Sequence, residues 1–325
     1  MVLTSRQKII VGLMIFLLVL VFPKRSVASQ SEEGQITIVF DFGHDQLFSP
    51  ANQNFTEAVD VLSNRPEYFV RILTEGELSA ENLTRSHILV ISNPGKEYTT
   101  AELEVISNFV NRGGSLFLLC DFQIANRRIG NPVVLNEILQ GISEPLIQFS
   151  TVIEGDDIQG DAIYDLNNSL LLPYNIQVNQ SFITLDPLRA TIGVNINSVM
   201  VAGGSLTEQT SGLIISTGAE TSQAVNINEE AIHSQPGWLA AFWVNSSRVV
   251  LCTSNTMFSD TSCIGTNQSW FQSRDNSILW LNIFNWLSAS FVQDTTLFLI
   301  FIVSLVLIVG MALFIYSFWL KKRGG

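Results

Sequence analysis

Six polar residues stand just past apolar runs of strand type. Asp41 and His44 lie at the end of Ile36–Phe42, Asn93 follows His87–Ser92, Asp121 follows Ser115–Cys120, and Ser254 and Asn255 follow Arg248–Thr253. In open α/β sheets, ligands bind beyond the carboxyl ends of the strands. These six are therefore the ligand-binding candidates, with Asp41, His44 and Asp121 at their centre. Asp41 and Asp121 are expected at neighbouring strand ends, with His44 in the loop above them. Two carboxylates beside one imidazole favour its protonated form, which suits recognition of a polar or cationic group without any reaction. A competing reading makes the Asp and Asn side chains caps of the turns or helices that follow the strands.

Catalytic constellations are scarce. Cys120 lies between Leu119 and Asp121, and Cys252 between Leu251 and Thr253, so neither thiol has the small neighbours that a strained nucleophile elbow requires. His44, His87 and His233 are the only imidazoles available as bases. No HExxH, CxxC, GxSxG or Walker sequence occurs, and neither a metal nor a cofactor is implied. Glu154, Asp156, Asp157, Asp161 and Asp165 lack the spacing of a calcium loop and read as a solvated acidic loop. Three cysteines do not make a disulfide framework; Cys252 and Cys263 are the one pairing close in sequence.

The elements that must position these groups alternate between strand and helix. Ile36–Phe42, Tyr68–Leu73, His87–Ser92 and Ser115–Cys120 read as strands, with helices at Ala51–Leu62 and after Thr99. Thr99 and Glu102 form a capping box, and Gly113-Gly114 ends that helix. Pro132–Gly141 reads as a further helix. Weaker strands are predicted at Ile147–Ile153, Ser198–Gly203 and Leu213–Thr217, where Gly203-Gly204 is a turn signal. Trp238–Val244 and Arg248–Thr253 are strands, and Asp275 is placed to cap a helix running to Leu287. Near-continuous apolar strands separated by amphipathic helices mean a mostly parallel sheet covered on both faces. The expected fold is a three-layer α/β domain over 33–290, with an irregular insertion near 142–235.

The two ends of the chain carry a different signal. Ile9–Phe22 is an apolar run of fourteen residues behind Arg6 and Lys8, and Ser26 and Ala28 follow; residues 1–28 read as a signal peptide, or as an uncleaved signal-anchor. Leu297–Leu320 is 24 residues without a charge, long enough to span a bilayer. Tyr316 and Trp319 suit the headgroup region, and Lys321, Lys322 and Arg323 mark 321–325 as a cytoplasmic tail. The expected protein is single-pass, with its domain extracellular or lumenal. Seven of the 17 Lys and Arg lie in these ends; the remaining 10 face 29 Asp and Glu, a formal charge of −19. So acidic a domain repels nucleic acid. N-x-[ST] sequons at Asn54, Asn82, Asn167, Asn179, Asn245 and Asn267 are glycosylation candidates on an exported chain.

The order FDFGHDQ, HILVISNP, YTTAELEVISNFVNRGGSLFLLCD, SRVVLCTSNTMFSD and DNSILWLNIFNWLS resembles the class I glutamine-amidotransferase-like domain superfamily. The resemblance spans roughly Ile36 to Leu287, and the helix–Gly-Gly–strand–Asp block at 99–121 is its most specific part. That superfamily includes exported archaeal and bacterial membrane proteins, gliding-motility auxiliary proteins, an intraflagellar-transport subunit and the non-catalytic lumenal subunit of oligosaccharyltransferase. The layout of leader, ectodomain and single C-terminal span is similar to the last of these. The resemblance implies a non-catalytic, membrane-anchored accessory or scaffold subunit that binds a partner protein or a glycan-related ligand near the membrane. Two alternatives remain: an exported hydrolase using a His/Asp site, and a ligand-binding component of a transport or sensing complex.

Overall fold

Where both faces of a strand are buried, most side chains on both must be apolar. Three neighbouring strands of the sheet meet that demand, with Thr37, Asp41, Ser92 and Ser115 as their buried polar exceptions. The computed structural model describes residues 34–124, 127–142, 146–154, 157–183, 188–209, 211–291 and 310. From the amino end the elements are β1 (Ile36–Asp41), α1 (Thr56–Ser63), β2 (Tyr68–Leu73), β3 (Ile88–Ser92), α2 (Thr100–Asn111), β4 (Ser115–Leu119) and α3 (Pro132–Ile142). They continue with β5 (Ile147–Phe149), β6 (Leu206–Glu208), β7 (Ile214–Thr217), β8 (Gly237–Val244), β9 (Ser247–Cys252) and α4 (Asn276–Ser288). Every residue of β1, β3 and β4 is buried, whereas β2, an edge strand, buries only Tyr68.

Among the described residues these nine strands form one sheet, in the order β2-β1-β3-β4-β9-β8-β6-β5, with β7 also paired to β8. The five strands from β2 to β9 are mutually parallel; β8, β6, β5 and β7 extend the sheet antiparallel. This is mixed α/β with a largely parallel core. Ile106, Phe109 and Val110 of α2 share one face with Val134, Leu135 and Ile138 of α3. The opposite face buries Ala58, Val59 and Leu62 of α1 together with α4. There Trp280 stands in an aromatic cluster with Phe40, Phe117, Phe258 and Phe284, at 4.7 Å from Phe258 and 4.8 Å from Phe284. Its indole Nε1–H donates to Ala58 O at 2.8 Å, tying α4 to α1.

Several boundaries differ from the expectations, each for a reason of hydrogen bonding. The helix expected at Ala51–Leu62 is split: a 3-10 turn at Pro50–Asn52 ends at Gln53, whose φ is +55°, and α1 starts at Thr56. No local side chain caps α1; Asp260, 204 residues away, accepts from Thr56 N at 2.6 Å and Glu57 N at 3.0 Å. Asp275 does not cap α4 with its side chain. Its carboxylate instead takes Asn197 N at 2.7 Å and Ser198 N at 3.1 Å. The strand expected at Ile147–Ile153 is broken into Ile147–Phe149, in the main sheet, and Val152–Glu154, paired with Asp157–Gln159. Two smaller sheets complete the insertion: Ile176–Asn179 with Ser198–Val201, and Ala162–Tyr164 with Gln223–Val225 and Ala231–Ser234.

The expected leader, 1–28, lies outside the described residues, as does the expected span, 297–320, apart from Gly310. Among the described residues no helix is long and apolar enough to cross a membrane. All three cysteines are free and buried, so Cys252 and Cys263 are not paired.

Removing the indole at Trp280 empties a large volume in a dry cluster. Trp280→Ala is expected to cost about 3–5 kcal/mol, and Asp260→Ala about 0.5–2 kcal/mol for the lost cap. Urea midpoints measure both. An Asp260→Ala variant as stable as the parent would show that the long-range cap contributes nothing.

Candidate functional site

The chain leaves β1 for one side of the sheet and β3 for the other, so the strand order reverses between them. This is the place where a doubly wound sheet opens a crevice. The register sets Asp41 beside Ile91, Ser92 beside Leu119, and Leu119 beside Cys252, so the candidate residues come off one edge. They fall into two groups.

The first group surrounds His44, which is 6% exposed. Its Nδ1 lies 2.9 Å from Asp41 Oδ2, a charge contact outside good hydrogen-bond alignment, and its Nε2 lies 3.0 Å from Glu102 Oε1. Tyr98 stacks on the imidazole at 3.9 Å, and its hydroxyl donates to Asp41 Oδ2 at 2.5 Å. Glu102 belongs to the capping box of α2. Its Oε2 accepts from Thr99 N and Thr99 Oγ1, at 2.9 and 2.8 Å, while Oε1 also accepts from Leu78 N at 2.7 Å. Asp41, Tyr98 and Glu102 are as buried as the histidine. The second carboxylate on His44 is thus Glu102. Asp121 is not at the strand end next to Asp41, because β3 lies between β1 and β4. The capping box had marked Glu102, but one of its oxygens remained free for a partner that only the fold supplies.

The second group ties the ends of β3, β4 and β9 together. Ser92 Oγ donates to Asn255 Oδ1 at 3.1 Å, and Asn255 N donates to Cys120 O at 2.6 Å. Asn93, with φ +45°, accepts from Asn131 N and donates to Ile129 O. Asp121 accepts from Thr256 N and Thr256 Oγ1, both at 3.1 Å, and so caps the turn at Thr256–Phe258. Ser254 Oγ exchanges hydrogen bonds with Ala202 O and N at 2.9 and 3.1 Å, joining the insertion to β9. Gly203 sits so close to Thr253 that a Cβ there would lie 2.4 Å from Thr253 O. Asn255 Nδ2 and Gln46 Nε2 are buried at this edge without partners.

The acidic loop is not solvated throughout. Asp161 and Asp165 are both 1% exposed. Asp161 accepts from Ser205 N and Ser205 Oγ, at 2.6 and 2.5 Å, and Asp165 takes the amides of Asn167 and Asn168. Among the described residues no cluster of His, Cys, Asp and Glu could hold a metal ion. A cavity of about 10 Å³ between Cys120, Asp121 and Asp161 admits a single water at most. Burial, with Asp121 nearby, pushes the Cys120 thiol far up, and burial pushes Cys252 up to about 12. Neither is a thiolate at neutral pH. His87 is spent elsewhere, accepting Thr37 N on Nδ1 at 2.9 Å.

The family model of the IFT52 GIFT domain matches residues 37–130, less than half of the chain. No curated protein matches the chain in sequence. Among solved structures, the mmIFT52 N-terminal domain superposes with a TM-score of 0.55 at 15% identity, covering 77% of this chain and 100% of that one. A ThuA-like protein from Parabacteroides merdae ATCC 43184 gives a TM-score of 0.47 at 9% identity, covering 79% of this chain and 91% of its own. The fold is therefore similar to that of the IFT52 N-terminal domain. The matched segment contains Asp41, His44, Asn93, Glu102 and Asp121, but not Ser254 or Asn255.

The buried groups predict a pH profile. Burial pulls the His44 pKa down, but contact with Asp41 and Glu102 outweighs it, and the net shift is upward. Its stabilisation is complete below the ordinary value of 6.5 and is lost as pH rises through the folded value. Asp161 acts in the same direction over a lower window: burial raises it from 3.8 to about 6, so stability falls as pH rises across that interval. His44→Gln is expected to flatten the decline above pH 6.5 only. Asp161→Asn should flatten the decline between about pH 4 and 6, and should raise the urea midpoint at pH 7. An unchanged slope above pH 6.5 in His44→Gln would remove the imidazolium from this account.

Proposed function

We propose that this protein is a non-catalytic scaffold subunit, whose amidotransferase-like domain binds a partner protein and is held at a membrane by the C-terminal apolar segment. The observation that carries the reading is the state of the would-be catalytic groups. Cys120 and Cys252 are sealed thiols with raised pKa values, and the cavity beside Cys120 is too small for a substrate. His44 has both ring nitrogens against carboxylates and one face against Tyr98, so it has no position from which to take a proton from a substrate. The likeness to the IFT52 N-terminal domain supports the same reading at the level of the fold.

The finer proposal is export with a single C-terminal span, a layout similar to that of the non-catalytic lumenal subunit of oligosaccharyltransferase. Sequon placement is compatible with this topology. Asn167, Asn179, Asn245 and Asn267 are exposed, whereas Asn54 and Asn82 are partly buried with their side chains engaged by Leu47, Ser49 and Ser79.

Two measurements test the proposal. Affinity capture of the full chain in mild detergent should retain a stoichiometric partner, equally well with Cys120→Ala. Loss of biological function in a folded Cys120→Ala variant would overturn the non-catalytic reading. For topology, protease added to intact cells should remove the domain and spare a tag on Gly325; digestion of the tag with the domain spared would reverse the orientation.

A further inference from the structure

We propose that a cleft of about 270 Å³ beyond the carboxyl ends of β4 and β9 binds the ring of a small, uncharged, hydroxyl-bearing ligand, a monosaccharide unit. Its walls come from four separate parts of the chain. Phe48 belongs to the loop after β1, Phe122 follows β4, Tyr174 comes from the insertion, and Trp270 from the loop before α4. Phe122 and Tyr174 stack at 5.0 Å, and all four aromatic side chains are under a tenth exposed. Thr261, Ser262 and Ile264 lie exposed at the mouth.

Two polar groups distinguish this cleft from a gap in the packing. Asn175 lines it, is 1% exposed, and keeps its side-chain Nδ2 without a hydrogen-bond partner. Buried polar groups in folded proteins are nearly always paired, so an unpaired amide donor beside a cleft marks a place for an acceptor. Thr256 also lines the cleft; its hydroxyl hydrogen goes to Asp121 Oδ2, which leaves the oxygen able to accept. An unpaired donor and an available acceptor among aromatic faces, with the hydroxyl residues Thr261 and Ser262 at the mouth, is the composition of a small-molecule site.

The chemistry of the ligand follows by exclusion. None of the described lining residues carries a charge, so an ionised ligand would give up its hydration without a counter-charge. A wholly apolar ligand would leave the Asn175 amide unpaired. A neutral sugar ring meets both conditions, laying C–H faces on the aromatic rings and offering a hydroxyl oxygen to Asn175. The volume falls below the roughly 300–1,000 Å³ of sites for drug-sized ligands and suits one ring. This inference does not rest on the scaffold reading, since the cleft is separate from the sealed His44 and Cys120 groups.

Saturation-transfer NMR on the full chain, in a detergent without a sugar headgroup, tests it. The probes are neutral hexoses and N-acetylhexosamines, their methyl glycosides, a hexuronic acid and phenol. Saturable binding of at least one neutral sugar is expected, at least tenfold weaker in Ile264→Trp, which obstructs the mouth from an exposed position. Asn175→Leu should weaken it similarly; if that variant does not fold, Ile264→Trp, checked by its thermal melt, decides alone. Binding of the methyl glycosides identifies the terminal unit of a glycan, and binding of free sugars only identifies a free sugar; either sustains the proposal. Absence of neutral-sugar binding, tighter binding of phenol or the uronic acid, or affinity unchanged in Ile264→Trp would overturn it.

Discussion

A carboxylate can accept two N–H groups at once, and the carboxyl edge of this sheet depends on that capacity. A parallel sheet covered on both faces sends its strand ends into a region where backbone groups are out of reach of water, and each unpaired one costs about 1–3 kcal/mol. Here acids far off in sequence supply the missing acceptors. Asp121 serves Thr256 across 135 residues, Asp260 serves the start of α1 across 204, Asp275 serves Ser198 across 77, and Asp161 serves Ser205 across 44. Asp121 and Asp260 tie the loop after β9 to the end of β4 and to α1, Asp275 ties the insertion to the start of α4, and Asp161 closes the insertion on itself. These four acids thus have a structural role.

The His44 group obeys the same constraint with charge added. Glu102 finishes the first turn of α2 and meets the imidazole that extends from β1, so one side chain links helix capping to the switch point of the sheet. A buried ion pair contributes little net stability, but removing one partner strands the other, which makes such a group effective at fixing one arrangement. The raised pKa of His44 and the lowered pKa of Glu102, the latter set by the amides of Leu78 and Thr99 against the pull of burial, are two sides of that arrangement. A histidine so enclosed fixes the loop after β1, whose backbone accepts Gly95 N and Lys96 N at His44 O.

The edge of the sheet therefore divides into a sealed part and an open part. At β1 and β3 the polar groups are consumed by one another; beyond β4 and β9 the insertion and the loop before α4 stand off from the strands and leave an aromatic cleft. Both parts lie where the fold concentrates ligand chemistry. Packing decides which is available, since Tyr98 covers one and, among the described residues, no comparable side chain fills the other.

How much of this was legible depends on the range over which each interaction acts. The fully buried strands at Ile36–Asp41, Ile88–Ser92 and Ser115–Leu119 and the capping box at Thr99 and Glu102 follow from period and local spacing, so the sequence by itself determined the layered α/β core. It also placed Asp41, His44, Asn93, Asp121, Ser254 and Asn255 on one edge. The partners of those residues were decided only by the tertiary structure. Asp275 resembled a helix cap and instead holds Asn197 and Ser198; α1 has no local cap because Asp260 provides it; Glu102 rather than Asp121 completes the pair of carboxylates on His44. Phe48, Phe122, Tyr174 and Trp270 gave no signal as a group, since residues so far apart in the chain share a cleft only once the sheet has set the strand ends side by side. Local pattern encodes which face of an element is buried, while the pairing of one buried polar group with another depends on a strand order that no local pattern contains.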